Sequence, residues 1–124
     1  MPPTQAQLLS AIGGPEHIHE IAAAWGDQYD EYQSGFTSAS IAQVGHLAHR
    51  LKGGASVVAA RHLVECATKL HANTQQQNAA TQPPDCYRLA VLKHAELVKN
   101  TIDELHEVNR VIRQLQLSSL CDNS

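Results

Sequence analysis

Apolar residues in this chain recur at three- and four-residue steps, and no stretch alternates them with polar residues over the length of a strand. That period belongs to helices that bury one face. It runs from Ile18 through Ile21, Ala22, Trp25, Tyr29 and Tyr32 to Phe36. It returns from Ile41 through Val44, Ala48, Leu51 and Ala55 to Val58, and again across Leu63, Val64, Ala67 and Leu70. A long last run carries Val91, Ala95, Val98, Ile102, Leu105, Ile112 and Leu115. Hydrophobic residues make up 43% of the chain but aromatics only 4%, so the core must be built from Ala, Leu, Val and Ile, which suits packed helices. Four amphipathic helices with short connections predict an all-α fold, an antiparallel four-helix bundle. A short additional N-terminal helix is expected over Gln5 to Ile12, started by a Thr4/Gln7 capping box and ended by Gly13-Gly14.

The breaks between helices follow from local chemistry. Pro15 suits the first helical position, and Glu16 lies near the positive dipole end. Thr37 to Ser40 is rich in N-cap residues. The Gln/Pro-rich stretch predicts an internal loop over residues 75–85, with Asp85 able to cap the last helix. Residues 1–3 and 118–124 are expected to fray. A length of 124 residues fits one domain spanning 1–124.

Several function classes lose support at this stage. A formal charge of -3 gives no general drive toward nucleic acid or anionic membranes. Cys66, Cys86 and Cys121 form no CxxC pair, and their odd, irregular placement suits a reducing cytoplasm. No apolar run is long enough to span a membrane, and Met1 to Leu9 lacks the features of a signal peptide. No glycine-rich phosphate loop follows a strand, so self-phosphorylation from ATP is not expected. Eight histidines in a small acidic chain are the feature left to explain.

The third helix offers an explanation. Opposite its buried stripe it is expected to present Gly45, His49, Lys52, Gly53 and Ser56, all three or four positions apart. Each glycine inside a helix costs about 1 kcal/mol relative to Ala, so folding does not favour them there. Docking does, because bare backbone at Gly45 and Gly53 would let another protein's active site close over His49; tight helix packing is the other reading of Gly45. Lys52, one turn on, can offset charge on a phosphoryl group carried by the imidazole. A free histidine titrates near 6.5, so the neutral nucleophile is available near neutral pH.

The stretch Ala48-His49-Arg50-Leu51-Lys52-Gly53-Gly54-Ala55-Ser56, with Ala60-Arg61-His62-Leu63 and Cys66 after it, resembles the signature of histidine-containing phosphotransfer (HPt) domains. That signature is His-x-x-Lys-Gly, small residues, a Gly-Ala pair, a Leu, and often a Cys on the next helix. The resemblance is sharpest from Gly45 to Leu70. It implies an antiparallel four-helix bundle that relays phosphoryl groups between response-regulator receiver domains, including those of hybrid sensor kinases. It also implies His49 as phosphoacceptor, Lys52 as assisting cation and Gly53 as access glycine, with Gly45, His46 and Ser56 in the docking surface. The chain itself is expected to hold no cofactor or metal; Mg²⁺ would sit on the partner receiver domain. Three positions depart from the pattern. The small run is Gly54-Ala55-Ser56 instead of Ser-Ser-Ala. Ala59 stands where a glycine is expected, which implies a backbone without positive φ. His71 occupies the place of a Gln that orients the active imidazole in some members, and so is a candidate for that role.

Weaker readings stand beside this one. His46 and His49 are spaced i, i+3, as two ligands of one metal could be, but no carboxylate or cysteine accompanies them at matching spacing. His17 and His19 diverge on their helix. His62, His94 and His106 read as surface residues, Cys66 as a packing residue, and Trp25, Tyr29 and Tyr32 as core or half-buried residues. The rival functions are a non-transferring adaptor that binds partners through the same face, and a metal- or haem-binding bundle. The initial Met and compact length favour a free-standing module, and one domain with one docking face favours a monomer.

Overall fold

The fold is taken from a computed structural model, which describes residues 2–38, 40–78 and 84–122, without the side chains of 38, 78, 84–87 and 119–122. Helix α1 (Gln5–Ile12) begins at the expected capping box. The Gln7 side chain accepts from the Thr4 backbone N–H at 2.9 Å, and the Thr4 hydroxyl accepts from the Gln7 backbone N–H at 3.1 Å. It ends at Gly13, whose φ of 86° a glycine adopts without steric cost. Pro15–His17 form a single 3-10 turn that leads into α2 (Ile18–Ser38). The remaining helices are α3 (Ile41–Val57), α4 (Arg61–Asn78) and α5 (Pro84–Asp122). No strand occurs among the described residues.

Neighbouring helices pack in the ring α2–α3–α4–α5, and α5 closes on α2. The chain is an antiparallel four-helix bundle with α1 against α2 and α5. Ile18, Trp25, Tyr32 and Phe36 of α2 are buried, as are Val44, Ala48, Leu51 and Ala55 of α3 and Leu63, Ala67 and Leu70 of α4. Leu105, Val108, Ile112 and Leu115 of α5 complete the core. None of the described helices is long and apolar enough to cross a membrane.

Four boundaries differ from the sequence reading. Thr37 and Ser38 continue α2, and only Ser40 caps α3, by accepting from the Gln43 N–H at 3.3 Å. Gln75 to Asn78 continue α4 instead of opening a loop; the remaining loop residues 79–83 lie outside the described residues. Gln propagates a helix well, and Gln77 is anchored there by a 2.7 Å bond to Asn73. At the next boundary α5 starts at Pro84, so Asp85 lies inside its first turn and not ahead of it. At the far end α5 runs on to Asp122, past the expected fraying point at Ser118, and at the other terminus Pro3 is buried. Met1, Asn123 and Ser124 lie outside the described residues.

Within α5, Val91 and Ala95 are exposed, not core. Polar bonds fix this part of the helix. Buried Asn73 donates to the Ala90 carbonyl at 2.7 Å, and the His94 ring lies 3.2 Å from the Asn73 side-chain oxygen. Ala90 and Val98 therefore face inward, and Val91 and Ala95 turn out. His94 is correspondingly half-buried, not a plain surface residue.

The turn between α3 and α4 overturns the expectation for Ala59. Its φ is 59°, in the left-handed region. The Ala60 N–H donates to the Ala55 carbonyl at 2.9 Å and the Ala59 N–H to Ser56 at 3.2 Å, the paired bonds of a Schellman cap. Ala60 and Ala55, the residues on either side of this cap, are both buried and hold it shut. Left-handed backbone costs a residue with a Cβ roughly 1–2 kcal/mol, and the cap bonds and buried pair outweigh that here. Ala59→Gly is therefore expected to raise stability by about 0.5–1 kcal/mol. A higher urea midpoint at unchanged slope would show it; an unchanged or lower midpoint would contradict it.

Candidate functional site on the α3–α4 face

The period that buries Ala48, Leu51 and Ala55 leaves His49 exposed on the flank of α3 that leans toward α4. Each residue turns the helix by roughly 100°, so His49 lies about a quarter turn round from Ala48. Lys52, one turn on, is half-buried, with its stem along the packed flank. Among the described residues Lys52 forms no ion pair. The other cation beside His49 is engaged elsewhere. Arg50 pairs with Glu31 of α2 at 2.6 Å, donates to the Tyr32 hydroxyl at 3.4 Å, and stacks over the Tyr32 ring. Those bonds hold the Arg50 guanidinium above its usual pKa, the Tyr32 contact first and the Glu31 contact second. Arg50 thus ties α3 to α2, and Lys52 remains as the cation on the His49 flank.

The two glycines flanking His49 do different things. At Gly53 a Cβ would meet nothing within 4 Å, so the surface there is open. Of the two readings of Gly45, access and tight packing, the structure shows packing: Gly45 is buried. A Cβ at Gly45 would lie 2.7 Å from Thr74 Oγ1, 3.4 Å from Thr74 Cβ and 4.0 Å from the His71 ring. Thr74 is itself buried, and its hydroxyl donates to the His71 carbonyl at 2.7 Å. The bare backbone at Gly45 thus lets α4 approach α3 closely, and that approach brings His71 to His49.

The ring centroids of His49 and His71 are 5.2 Å apart, with planes tilted by 50°. His71 is half-buried, and no hydrogen bond joins the two rings among the described residues. Burial first, then positive charge at His49, Lys52 and His46, pushes the His71 pKa below the ordinary histidine value. His46 is exposed one turn before His49. Ser56 is exposed, and its hydroxyl is spent on the Lys52 carbonyl at 2.8 Å.

Other titratable groups lie apart from this face. His106 pairs with the Tyr29 hydroxyl and meets its ring edge-on, between α5 and α2. His62 lies near Glu65 on its own helix and near Glu104 across the α4–α5 groove. Cys66 is buried beside them, and burial raises its thiol pKa. No group of three or more metal-ligating side chains converges among the described residues. Thr74 is the site residue that the sequence reading missed. A step of four from Leu70 reaches it along the buried stripe of α4, but its hydroxyl side chain does not register in a stripe of apolar residues.

The contrast between the glycines can be tested by stability. Gly53→Ala should stabilise the fold by up to about 1 kcal/mol, because helix propensity acts alone there. Gly45→Ala should destabilise it by about 1–2 kcal/mol, because overpacking against Thr74 exceeds that gain. Adding Thr74→Ala should reduce the penalty of Gly45→Ala. Equal effects at both glycines in denaturant unfolding would contradict the packing role of Gly45.

Comparison with known proteins agrees with the architecture and the motif. No curated protein and no solved structure matches the chain. The family model described as "Hpt domain" matches residues 13–108, from the end of α1 into the second half of α5 and across the whole His49 face. With more than half the chain matched, a helical bundle as the fold and the motif on α3, the chain belongs to the Hpt-domain family, the histidine phosphotransfer modules of two-component phosphorelays.

Proposed function

We propose that His49 is the phosphoacceptor of a phosphorelay intermediate, which receives a phosphoryl group from a receiver-domain aspartate and passes it to another. The observation that carries this reading is an exposed imidazole with open surface at Gly53 and a lysine beside it that forms no ion pair among the described residues. A receiver domain, free or part of a hybrid sensor kinase, docks on α3 with help from α2. The His46, Gly53 and Ser56 surface surrounds the acceptor. Gly45 contributes from beneath, through the packing of α4.

In the transfer step the free imidazole nitrogen attacks phosphorus in line with the acyl-phosphate oxygen. The N–P bond forms as the P–O bond to the aspartate breaks, and the carboxylate leaves with the electron pair. The other ring nitrogen keeps its proton. Lys52 offsets charge on the phosphoryl oxygens during transfer and in the product. Both linkages are energy-rich, so the step runs in either direction. Where Mg²⁺ assists, carboxylates of the receiver domain would hold it. Hpt domains are phosphocarriers, and this chain acts as one without ATP-dependent autokinase activity. It works as a monomer in the cytoplasm.

Incubation with a phosphorylated receiver domain tests this reading. Wild type should gain an acid-labile phosphate, and His49→Gln should gain none. Lys52→Met should slow transfer by about ten- to a hundredfold. Gly53→Glu should block docking while keeping the fold, since that position faces open space. Receiver binding without transfer by wild type would favour the adaptor instead.

A further inference from the structure

His71 sits where its charge state must answer to whatever His49 carries. Its ring is half-buried against α3, 5.2 Å centroid to centroid from His49. Gly45 and Thr74 hold it there: the Thr74 hydroxyl bonds its carbonyl, and the bare backbone at Gly45 lets Thr74, and α4 with it, lie close to α3. The titratable and charged groups that act on it are His49, Lys52 and His46, all from α3; among the described residues none from α2 or α5 does. With the acceptor empty, burial and these neighbours keep His71 neutral near pH 7. A phosphoryl group on His49 brings up to two negative charges to the same face and reverses the sign of the local field.

We propose that His71 takes up a proton when His49 is phosphorylated and releases it when the phosphoryl group leaves, so that phosphoryl occupancy is coupled to pH. This rests on the reading of His49 as the acceptor. The proton comes from solvent through the half-exposed ring and returns there; no bond other than N–H is made or broken at His71. His71 is thus a positioning residue with an ionisable charge, where a Gln would supply a hydrogen bond alone. The sign of the coupling follows from linkage. The phosphorylated state binds the extra proton, so falling pH shifts the transfer equilibrium toward this chain. At pH above the His71 titration of the phosphorylated state, the effect vanishes. His71→Gln keeps every other ionisable group of the chain, so the difference between the two proteins isolates His71.

The test is histidine-detected NMR of the full chain, titrated with His49 empty and with His49 loaded by a phosphorylated receiver domain. Loading should raise the proton affinity of His71 by on the order of tenfold, as a nearby dianion in water implies. Between about pH 8 and about pH 6, the transfer equilibrium of wild type should gain several-fold over that of His71→Gln. If His49 takes the phosphoryl group and the His71 titration stays put or moves to lower pH, the coupling is overturned. It is equally overturned if His71→Gln keeps the wild-type pH profile. If His49 takes no phosphoryl group, the acceptor reading fails, and the coupling falls with it.

Discussion

The close approach of α3 and α4 at Gly45 is the contact on which the site depends. Thr74 fills the space that a Cβ at Gly45 would occupy, and its hydroxyl is satisfied by the His71 carbonyl. A buried hydroxyl without a partner would cost about 1–3 kcal/mol, so this bond removes an obstacle to the contact. The turn at Ala59 joins the same two helices and sets where α4 begins. Together these features place His71 beside His49 without burying His49 itself. On the other side, Arg50 is held by Glu31 and Tyr32, so α3 is fastened to α2 while its outer flank stays open.

The helical period carried most of the fold into view, because a bundle core repeats one physical demand along each helix. Ile18 to Phe36, Val44 to Val58 and Leu63 to Leu70 lie at or beside the core as their spacing requires. Composition misled where it was used in place of spacing. Gln75 to Asn78 look like a loop, yet Asn73 and Gln77 are bonded into the α4–α5 contact, and the helix continues through them. Val91 and Ala95 turn outward because polar side chains, invisible to an apolar stripe, set the rotation of that part of α5.

His49, Lys52 and Gly53 were legible as a group, since three- and four-residue steps put them on one helix face and the glycine there has no folding rationale. Gly45 was legible as unusual, with access and tight helix packing both open, and the structure shows the packing. It lies roughly 60° round from Ala48, at the edge of the core stripe, and an edge position can face solvent or a neighbour. One sequence cannot say which. Ala59 shows the same limit: residue type gave the cheaper backbone conformation, whereas the hydrogen bonds of the turn impose the costlier one. The nearness of His71 to His49 needed the helix packing as well as the offset along the chain.

In the proposed picture, the chemistry of this Hpt domain would come from one exposed ring and from the charges arranged around it. On the proposed reading the helices supply placement, Lys52 would supply a fixed charge, and His71 would add a charge that follows the cargo. The most direct measurement is the location of the phosphoryl group after brief exposure to a phosphorylated receiver domain, read by gentle fragmentation mass spectrometry at neutral pH. The account predicts a single phosphoryl group, on His49. A group on any other of the eight histidines, or none on the chain at all, would contradict it.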